Sequence, residues 1–574
     1  MNFFKKLLPF IIILTLSYWA IKPLFLPGFF PMHDDTQVAR VFAMQQSLTD
    51  GMFPVRWVSD LGYGYGYPIF NFYAPLSYYV GAFFDLIGFD TLSATKITMG
   101  IGIVAAGIFM YLLASKFFGR RAGIIAGLLY LYAPYHAVEI YVRGDVAEFW
   151  AYAFIPLVFY GFYSLSLSLL EKKNIQLWLW ISVSAFAYAG LILSHNLTAF
   201  MVTPFLGVFV FLLFLFAKKK IGWKKASILL SGLVIGVLIS AFYWLPTLAE
   251  MRYTNILSQV GGTANYADHF VCPRQLWESP WGFAGTAPGC TDGMSFALGK
   301  LQILFVLLAM IASCIFWRRE VTRIRFVWLT LVEFIFVIFL MLPWSQFLWD
   351  IVPLMSFFQY PWRFLILASF FSAFLGGFVW KCVEGVFAKK KVLLSAGTII
   401  LIYTIIFFNA AVFVPQTILT RSASDYTSPL ALRWYASELT HEYLPPAFSE
   451  PEKQADVPLR KLVPNPIVSI HSLDEKTQQI TMILTAREKT SLVVNQAYFP
   501  AWQLFIDEEK RPYRFFDKGI ILTIPKGKHD VVLKYVETPI EKIGNALSLT
   551  GIGILILGII SHRRRNKTYG KKTT

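Results

Sequence analysis

A chain of 574 residues that is 56% hydrophobic and only 15% charged cannot hide its apolar surface in a water-soluble core, because soluble domains carry about 25% charged residues. A formal charge of +17 points to nucleic acid only where basic residues form a patch, and here they stand in short clusters between apolar runs. Composition therefore excludes a nucleic-acid binder and a soluble enzyme, and leaves a polytopic membrane protein.

The N-terminal "MNFFKKLLPFIIILTLSYWAI" places Lys5 and Lys6 before an apolar run. It lacks a small-x-small cleavage site, so it reads as a retained first span. With a window of about 20 apolar residues, spans are predicted near 5–26, 94–116, 122–138, 148–168, 176–194, 197–217, 226–246, 299–317, 324–343, 362–381, 392–413 and 541–561. Segment 67–90 is apolar enough to cross but carries Pro68, Pro75 and Asp85. If it lies at the interface, the clusters Lys116/Arg120/Arg121, Lys172/Lys173, Lys218 to Lys220, Lys224/Lys225, Arg318/Arg319, Arg323/Arg325, Lys389 to Lys391 and Arg563 to Arg565 all fall on the cytoplasmic side. If it crosses, the later clusters up to the tail break the positive-inside rule together. The expectation is thus a mostly α, multi-pass protein of the cell membrane with about twelve transmembrane helices and both termini cytoplasmic.

That topology divides the chain into a transmembrane domain, 1–413, an external and largely β domain, 414–540, and a last span with a basic cytoplasmic tail, 541–574. The first external loop is 27–93. In the external domain "IVSIHSL", "QQITMILTA", "TSLVVNQAY", "GIILTIP" and "HDVVLKYVE" alternate like strands of a small β-sandwich, with "PKGKH" as a hairpin turn between the last two and a helical piece near "SPLALRWYASELT". Of four cysteines, Cys272 and Cys290 share an external loop, where a disulfide is chemically open to them.

Ionisable side chains concentrate at the predicted outer face. Asp34 and Asp35 follow the first span in "PMHDDTQVAR", with His33 before them. Asp145 and Glu148 lie at i and i+3 in "RGDVAE", on one helix face. His136 and Glu139 precede them and His195 ends the fifth span. Carboxylates at that depth are costly unless they meet water or a partner. Each also has a plain reading: Asp34 or Asp35 as a helix cap, Arg143 with Asp145 as a local ion pair, His195 as a helix-end residue. Arg56 and Arg363 are external arginines whose fork suits phosphate or merely reaches lipid headgroups. The run "LGYGYGYP", 61–68, is either a surface turn or a place where backbone and tyrosines approach a ligand. Together these residues describe an outward cavity able to hold a lipid-linked phosphate and a hydroxylic acceptor. A sugar transfer there needs one base and cations at the leaving phosphate.

"HDD" (33–35), "GMFPVRW" (51–57) and "APLSYY" (74–79) resemble the multispan GT-C glycosyltransferases, which use polyprenyl-phosphate or diphosphate sugars on the outer face. "GYGYPIFNFYAPLSYY", "RGDVAEFWAYAFIPL", "LSHNLTAF" and "FQYPWRFL" resemble bacterial membrane proteins labelled 6-pyruvoyl-tetrahydropterin synthase-related. The ending from "NQAYFPAWQLFIDEEK" resembles the C-terminal β-domain of YfhO-like proteins. Eight histidines without an HxH pair argue against the zinc chemistry of the pterin label. The GT-C resemblance implies a catalytic base at Asp34 or Asp35, with Asp34 preferred because Asp35 is better placed to cap the next helix. It implies a second acidic residue at Asp145 or Glu148, and substrate contacts from His33, Arg56, Tyr73, Tyr78, Arg143, His195 and Arg363. No cofactor is certain, but a divalent cation (Mg or Mn) on Asp34 and Asp145 fits the metal-using branches. The implied partners are a polyprenyl-phosphate-linked sugar, membrane lipid, and a glycan, lipid or protein acceptor. A lipid or glycan transporter, or a non-catalytic scaffold that binds envelope glycan, is the competing class; the absence of a convincing internal repeat weighs against the transporter.

Overall fold

The computed structural model describes residues 2–570 apart from 172–175, 218–220, 260–264, 318–320 and 517–518. The basic residues Lys172/Lys173, Lys218 to Lys220 and Arg318/Arg319 lie outside the described residues, and those of 563–565 have no described side chains.

The principal helices are α1 (Asn2–Leu16), α2 (Gln37–Thr49), α3 (Leu76–Leu86), α4 (Thr91–Phe118), α5 (Arg120–Leu131), α6 (Val146–Leu170), α7 (Leu177–Ser194), α8 (Asn196–Phe216), α9 (Trp223–Ile239), α10 (Ala241–Glu250), α11 (Lys300–Ile315), α12 (Val321–Met341), α13 (Leu365–Val386), α14 (Lys391–Asn409) and α15 (Pro539–Gly570). Among the described residues, nine helices are long and apolar enough to cross a membrane, or ten if the bent pair α9 and α10 is one span. Three of the twelve expected segments fall short of that test of length and continuity. The 122–138 run stops at Leu131, and Pro134 restarts it as a short helix followed by a π-helical turn, Glu139–Arg143. The 226–246 run bends by 68° between α9 and α10, where Ser240 Oγ bonds back to the Gly236 and Val237 carbonyls. α11 has 16 residues, short of the usual span.

Within the bundle, small residues set the closest approaches, as expected where lipid and protein are equally apolar. A Cβ on Gly102 would lie 2.3 Å from the Phe149 ring, and one on Gly127 would lie 2.7 Å from the Gly107 carbonyl. α3 has 11 residues, about half of what a crossing needs.

The C-terminal region forms two antiparallel sheets. Strands β1 (Val468–Lys476), β2 (Gln479–Ala486), β8 (Gly527–Tyr535), β4 (Trp502–Ile506) and β5 (Glu509–Arg511) make one, in that spatial order; β3 (Thr490–Val494), β7 (Gly519–Ile524) and β6 (Arg514–Phe516) make the other. One expectation fails here. "PKGKH" is no hairpin, because β7 and β8 belong to different sheets and the turn carries the chain between them. Two-residue turns instead join β1 to β2 and β4 to β5; in the second, Asp507 and Glu508 both take positive φ, +50° and +67°, the conformation that matches strand twist.

The 1–413 and 414–540 division is crossed by a shared core. Residues of α2, of 52–72 and of α3 pack into one apolar cluster with 432–535. "LGYGYGYP" is neither a surface turn nor a sugar platform: Tyr63, Tyr65 and Tyr67 are buried. Glycines 62, 64 and 66 take φ of +66°, +80° and +75°, and a Cβ on Gly66 would lie 2.6 Å from Trp57 Nε1. The loop is stitched to the β-domain by Ala497 N–H donating to the Tyr65 carbonyl (2.9 Å) and Lys461 Nζ donating to those of Ser59 and Gly64.

Candidate active site

A cavity of about 400 Å³ is lined by His33, Asp34, Arg40 and Tyr73 from the first loop, Arg143 and Asp145 from the turn before α6, and Gly285, Thr286 and Met294 from the loop 251–299. Tyr360 and Trp362 before α13, and Leu439, Thr440 and Glu442 from the segment leading to the β-domain, complete it. Five separate stretches of sequence therefore converge on one space.

Backbone pairing fixes the acidic residues. The His33 and Asp34 N–H groups donate to the carbonyls of Val142 (3.0 Å) and Arg143 (2.9 Å), so "HDD" docks on the π-helical turn. Gly144 ends that turn in the left-handed region, φ +66°, with Met32 Sδ where its Cβ would be, 2.1 Å away.

Asp34 Oδ1 accepts from Thr36 Oγ1 (2.6 Å), and Oδ2 accepts from Gln37 Nε2 and Arg40 Nη1 (both 2.8 Å). The buried Arg40 guanidinium lies 4.3 Å from the Tyr73 ring centre. Tyr73 OH reaches both acids, Asp34 Oδ2 at 3.5 Å and Asp145 Oδ1 at 3.3 Å. One phenol proton serves one carboxylate at a time, so Asp34 and Asp145 are coupled through it.

Asp145 caps α6, accepting from Glu148 N–H (3.0 Å), and its Oδ2 takes Arg143 Nη2 (3.1 Å). Burial works to raise its pKa, but Arg143, then His195 and Arg363, outweigh burial and hold the carboxyl at about 2. Arg143 also pairs with the buried Glu139 and with Glu148 (2.9 Å), and rests on Trp362, 4.7 Å from its ring centre. Burial, the larger effect, pushes the Glu139 carboxyl up against the pull of Arg143. Behind the cavity wall Arg363 Nε lies 3.2 Å from Glu148 Oε2, while its Nη1 donates to the Phe358 carbonyl and Gln359 Oε1. His33 Nε2 lies 3.0 Å from the Phe283 carbonyl, and burial lowers its pKa. The loop carrying Phe283 and Thr286 is closed by a disulfide between Cys272 and Cys290.

Not every expected residue arrives. Asp35 points away, 3.6 Å from Arg421, with burial raising its carboxyl to about 7. Nor does it cap α2: the cap residue is Thr36, and it makes no side-chain capping bond. Arg56 is corrected outright. It is 1% exposed and bonds Asn71 Oδ1 (3.0 Å), the Phe242 carbonyl (2.6 Å) and Asn545 Oδ1 (2.8 Å), a knot between first loop, α10 and α15. Tyr78 lies behind the wall, donating to Gln37 Oε1 (2.7 Å), and so buttresses the residues that hold Asp34. Glu148, His195 and Arg363 back the site without lining it.

Sequence reasoning missed Arg40, Thr286, Tyr360, Trp362, Thr440 and Glu442. Arg40 had a signal, an arginine within two turns of a carboxylate pair. Glu442 had none, since only the fold brings it from the C-terminal region to the first loop.

Asp145, Glu148 and His195 each offer one donor atom, all within 4.8 Å of one another. Oxygen and imidazole donors suit Mg, Mn or Zn, and the Thr198 hydroxyl, 2.8 Å from His195 Nδ1, orients the ring. Asp34 is outside this set.

Fold and site define a polytopic membrane protein with a charged cavity between its helical bundle and a β-domain. Residues 70–412 match the family described as 6-pyruvoyl-tetrahydropterin synthase related domain, membrane protein. The match spans more than half of the chain, which belongs to that family. An uncharacterized protein of Lactococcus lactis subsp. cremoris is 27% identical over 257 residues, 42% of this chain and 40% of that one. The chain thus matches about two-fifths of its relative's length. Among solved structures it is similar to the Archaeoglobus fulgidus oligosaccharyltransferase. The apo form shares 14% identity over 76% of this chain and 56% of that one, with a TM-score of 0.41. The form tethered to an acceptor peptide shares 14% over 77% and 59%, with a TM-score of 0.47.

Proposed function

We propose that the protein is an inverting glycosyltransferase of GT-C type, moving a sugar from a polyprenyl-phosphate or diphosphate donor to an acceptor at the outer face of the cell membrane, with both termini cytoplasmic. The observation that supports it is the meeting of Asp34 and Asp145 at one tyrosine hydroxyl, inside a cavity that also holds Arg143.

Asp34 is the base. It lines the cavity with its side chain 25% exposed, and Oδ1 has one donor, Thr36. Asp145 is a poor base because a carboxyl held at about 2 has little affinity for a proton. In the reaction Asp34 takes the acceptor hydroxyl proton, the freed oxygen bonds the anomeric carbon from the side opposite the phosphate, and the carbon–oxygen bond to phosphate breaks. The electron pair leaves on the phosphate, so no general acid is needed. Arg143 and Arg363 stand on the side where that charge develops, and Tyr360, stacked on the buried Trp362, offers an aromatic surface to the sugar. A divalent cation held by Asp145, Glu148 and His195 would supply further neutralisation of the phosphate.

The test is transfer of labelled sugar from a panel of polyprenyl-phosphate sugars to membrane extract. Asp34→Asn is expected to lose at least about 100-fold with its fold intact. Equal transfer by wild type and Asp34→Asn would remove Asp34 from the chemistry.

A further inference from the structure

Glu333 is a carboxyl inside the span Ile324–Met341 of α12. At about 1.5 Å of rise per residue it stands roughly 12 Å below Met341, at hydrocarbon depth. Its side chain separates two spaces. One is an apolar groove of about 510 Å³ between α8 and α12, closed at one end by Phe358 and Phe364. The other is a void of about 10 Å³ among the rings of α6, α8 and α13, at the lower limit for a single water. Phe200 and Val208 on α8, with Val332 and Phe336 on α12, are exposed, so the groove opens sideways to lipid.

Glu333 is 6% exposed. No hydrogen bond or ion pair reaches it among the described residues, and its Oε1 is enclosed without a donor. Thr330, the other polar residue of the void, donates its hydroxyl proton to the Phe326 carbonyl (2.9 Å) and has none to spare. Among the residues lining either space, Glu333 is the sole ionisable one. A carboxyl in hydrocarbon is costly and is kept where something meets it.

We propose that the groove is a binding site for a lipid-soluble primary amine, its chain along α8 and α12 and its nitrogen at the Glu333 carboxyl. A plain hydrocarbon chain would leave the carboxyl unmet, and an anionic amphiphile would set a second acid beside it. An amine shares one proton with the carboxyl, so the pair is neutral overall whichever atom holds that proton, and the bond is of the charge-assisted kind. The rings of the groove favour the same occupant: Phe205 with Phe336, centres 6.3 Å apart, and Phe200 with Phe358, 5.4 Å apart, present faces that attract an ammonium. The groove shares no lining residue with the candidate active site, and the proposal stands whether or not the protein transfers sugar.

The test offers purified full-length protein, in neutral detergent, three probes of one chain length: hexadecylamine, hexadecanol and hexadecanoic acid. Retained probe is weighed by native mass spectrometry. The amine is expected to be retained at least tenfold over the other two. Glu333→Gln, which keeps the shape but cannot exchange a proton with the amine, should bring it level with the alcohol, and Val208→Trp, filling the groove from α8, should lower the amine as well. Equal retention of amine and alcohol by wild type, or an amine preference that survives Glu333→Gln, overturns the proposal.

A second arm needs no variant. Dicyclohexylcarbodiimide, itself lipid-soluble, is added to wild type holding hexadecylamine. The carboxyl proton goes to a carbodiimide nitrogen as the carboxyl oxygen bonds the central carbon. The seated amine then attacks the acyl carbon, dicyclohexylurea leaves, and Glu333 ends as its hexadecylamide. That amide, found on the Glu333 peptide by mass spectrometry, supports the site. Amide on other carboxyls with none on Glu333 overturns it.

Discussion

Asp34 and Asp145 share one phenol and differ in everything else around them. The first faces the cavity with spare capacity; the second is bound into a helix start and an arginine. Asp34→Asn should remove activity with the smaller loss of stability, since an amide oxygen still accepts from Thr36 and Arg40, whereas Asp145→Ala should cost about 1 kcal/mol or more through the cap and lower the melting temperature. His195 tests the cation: a chelator should lower transfer by wild type, and His195→Ala should shift the metal-concentration dependence to higher metal. Asp35 makes a separate prediction. Its carboxyl sits at about 7 when folded, against about 4 when unfolded. The folded chain binds that proton more tightly, so this contribution to stability is full below about pH 4 and is lost as pH rises through about 7. Asp35→Asn should flatten the melting temperature between pH 5 and 8. The sequence made Asp34, Asp145, Arg143 and Tyr73 legible because charge is rare in this chain and each lies beside a span. It misplaced Arg56 because an arginine in an external loop reads as solvent-facing until its carbonyl and amide partners, 186 and 489 residues away, are in place.

At the scale of elements, the stretch from Leu131 to Val146 decides the site. A regular helix there would keep Glu139 and Arg143 on one face but carry Asp145 to roughly the opposite one, at about 100° per residue. The π-helical turn and the left-handed Gly144 instead turn three acids onto one guanidinium. Gly144→Ala should cost about 1–3 kcal/mol from backbone strain, and more because Met32 occupies the Cβ position. It should depress both the melting temperature and transfer, a joint loss that Asp34→Asn does not give. Hydropathy could not foresee this break, since "LYAPYHAVEIYV" stays apolar through it. Strands were easier, five of eight being visible as alternating runs. β4, β5 and β6 hid because they are short and β5 and β6 are exposed throughout.

On the scale of the whole molecule, the β-domain and the segment leading to it help to build the candidate cavity. They share their core with the first loop and supply Thr440 and Glu442 to the cavity. The Arg56 knot, where Asn71 also donates to Glu541 Oε1 (2.7 Å), binds loop, α10 and α15. Arg56→Ala should cost roughly 3 kcal/mol or more, because several buried hydrogen bonds to a charged group go at once. It should lower the melting temperature of the full chain, and the cavity should fail with it although Arg56 touches no part of it.

That shared core has a consequence for biogenesis. The first loop meets partners 373 to 489 residues further along the chain. At 5–20 residues per second of synthesis the loop waits roughly 20–100 s for them. Through that interval Trp57, Tyr67 and Phe70 have no core to occupy. The nascent loop is then a client for folding helpers and a target for proteases on its side of the membrane, and a ribosome that stops before Leu439 leaves a product with "HDD" in place and one wall of its pocket missing.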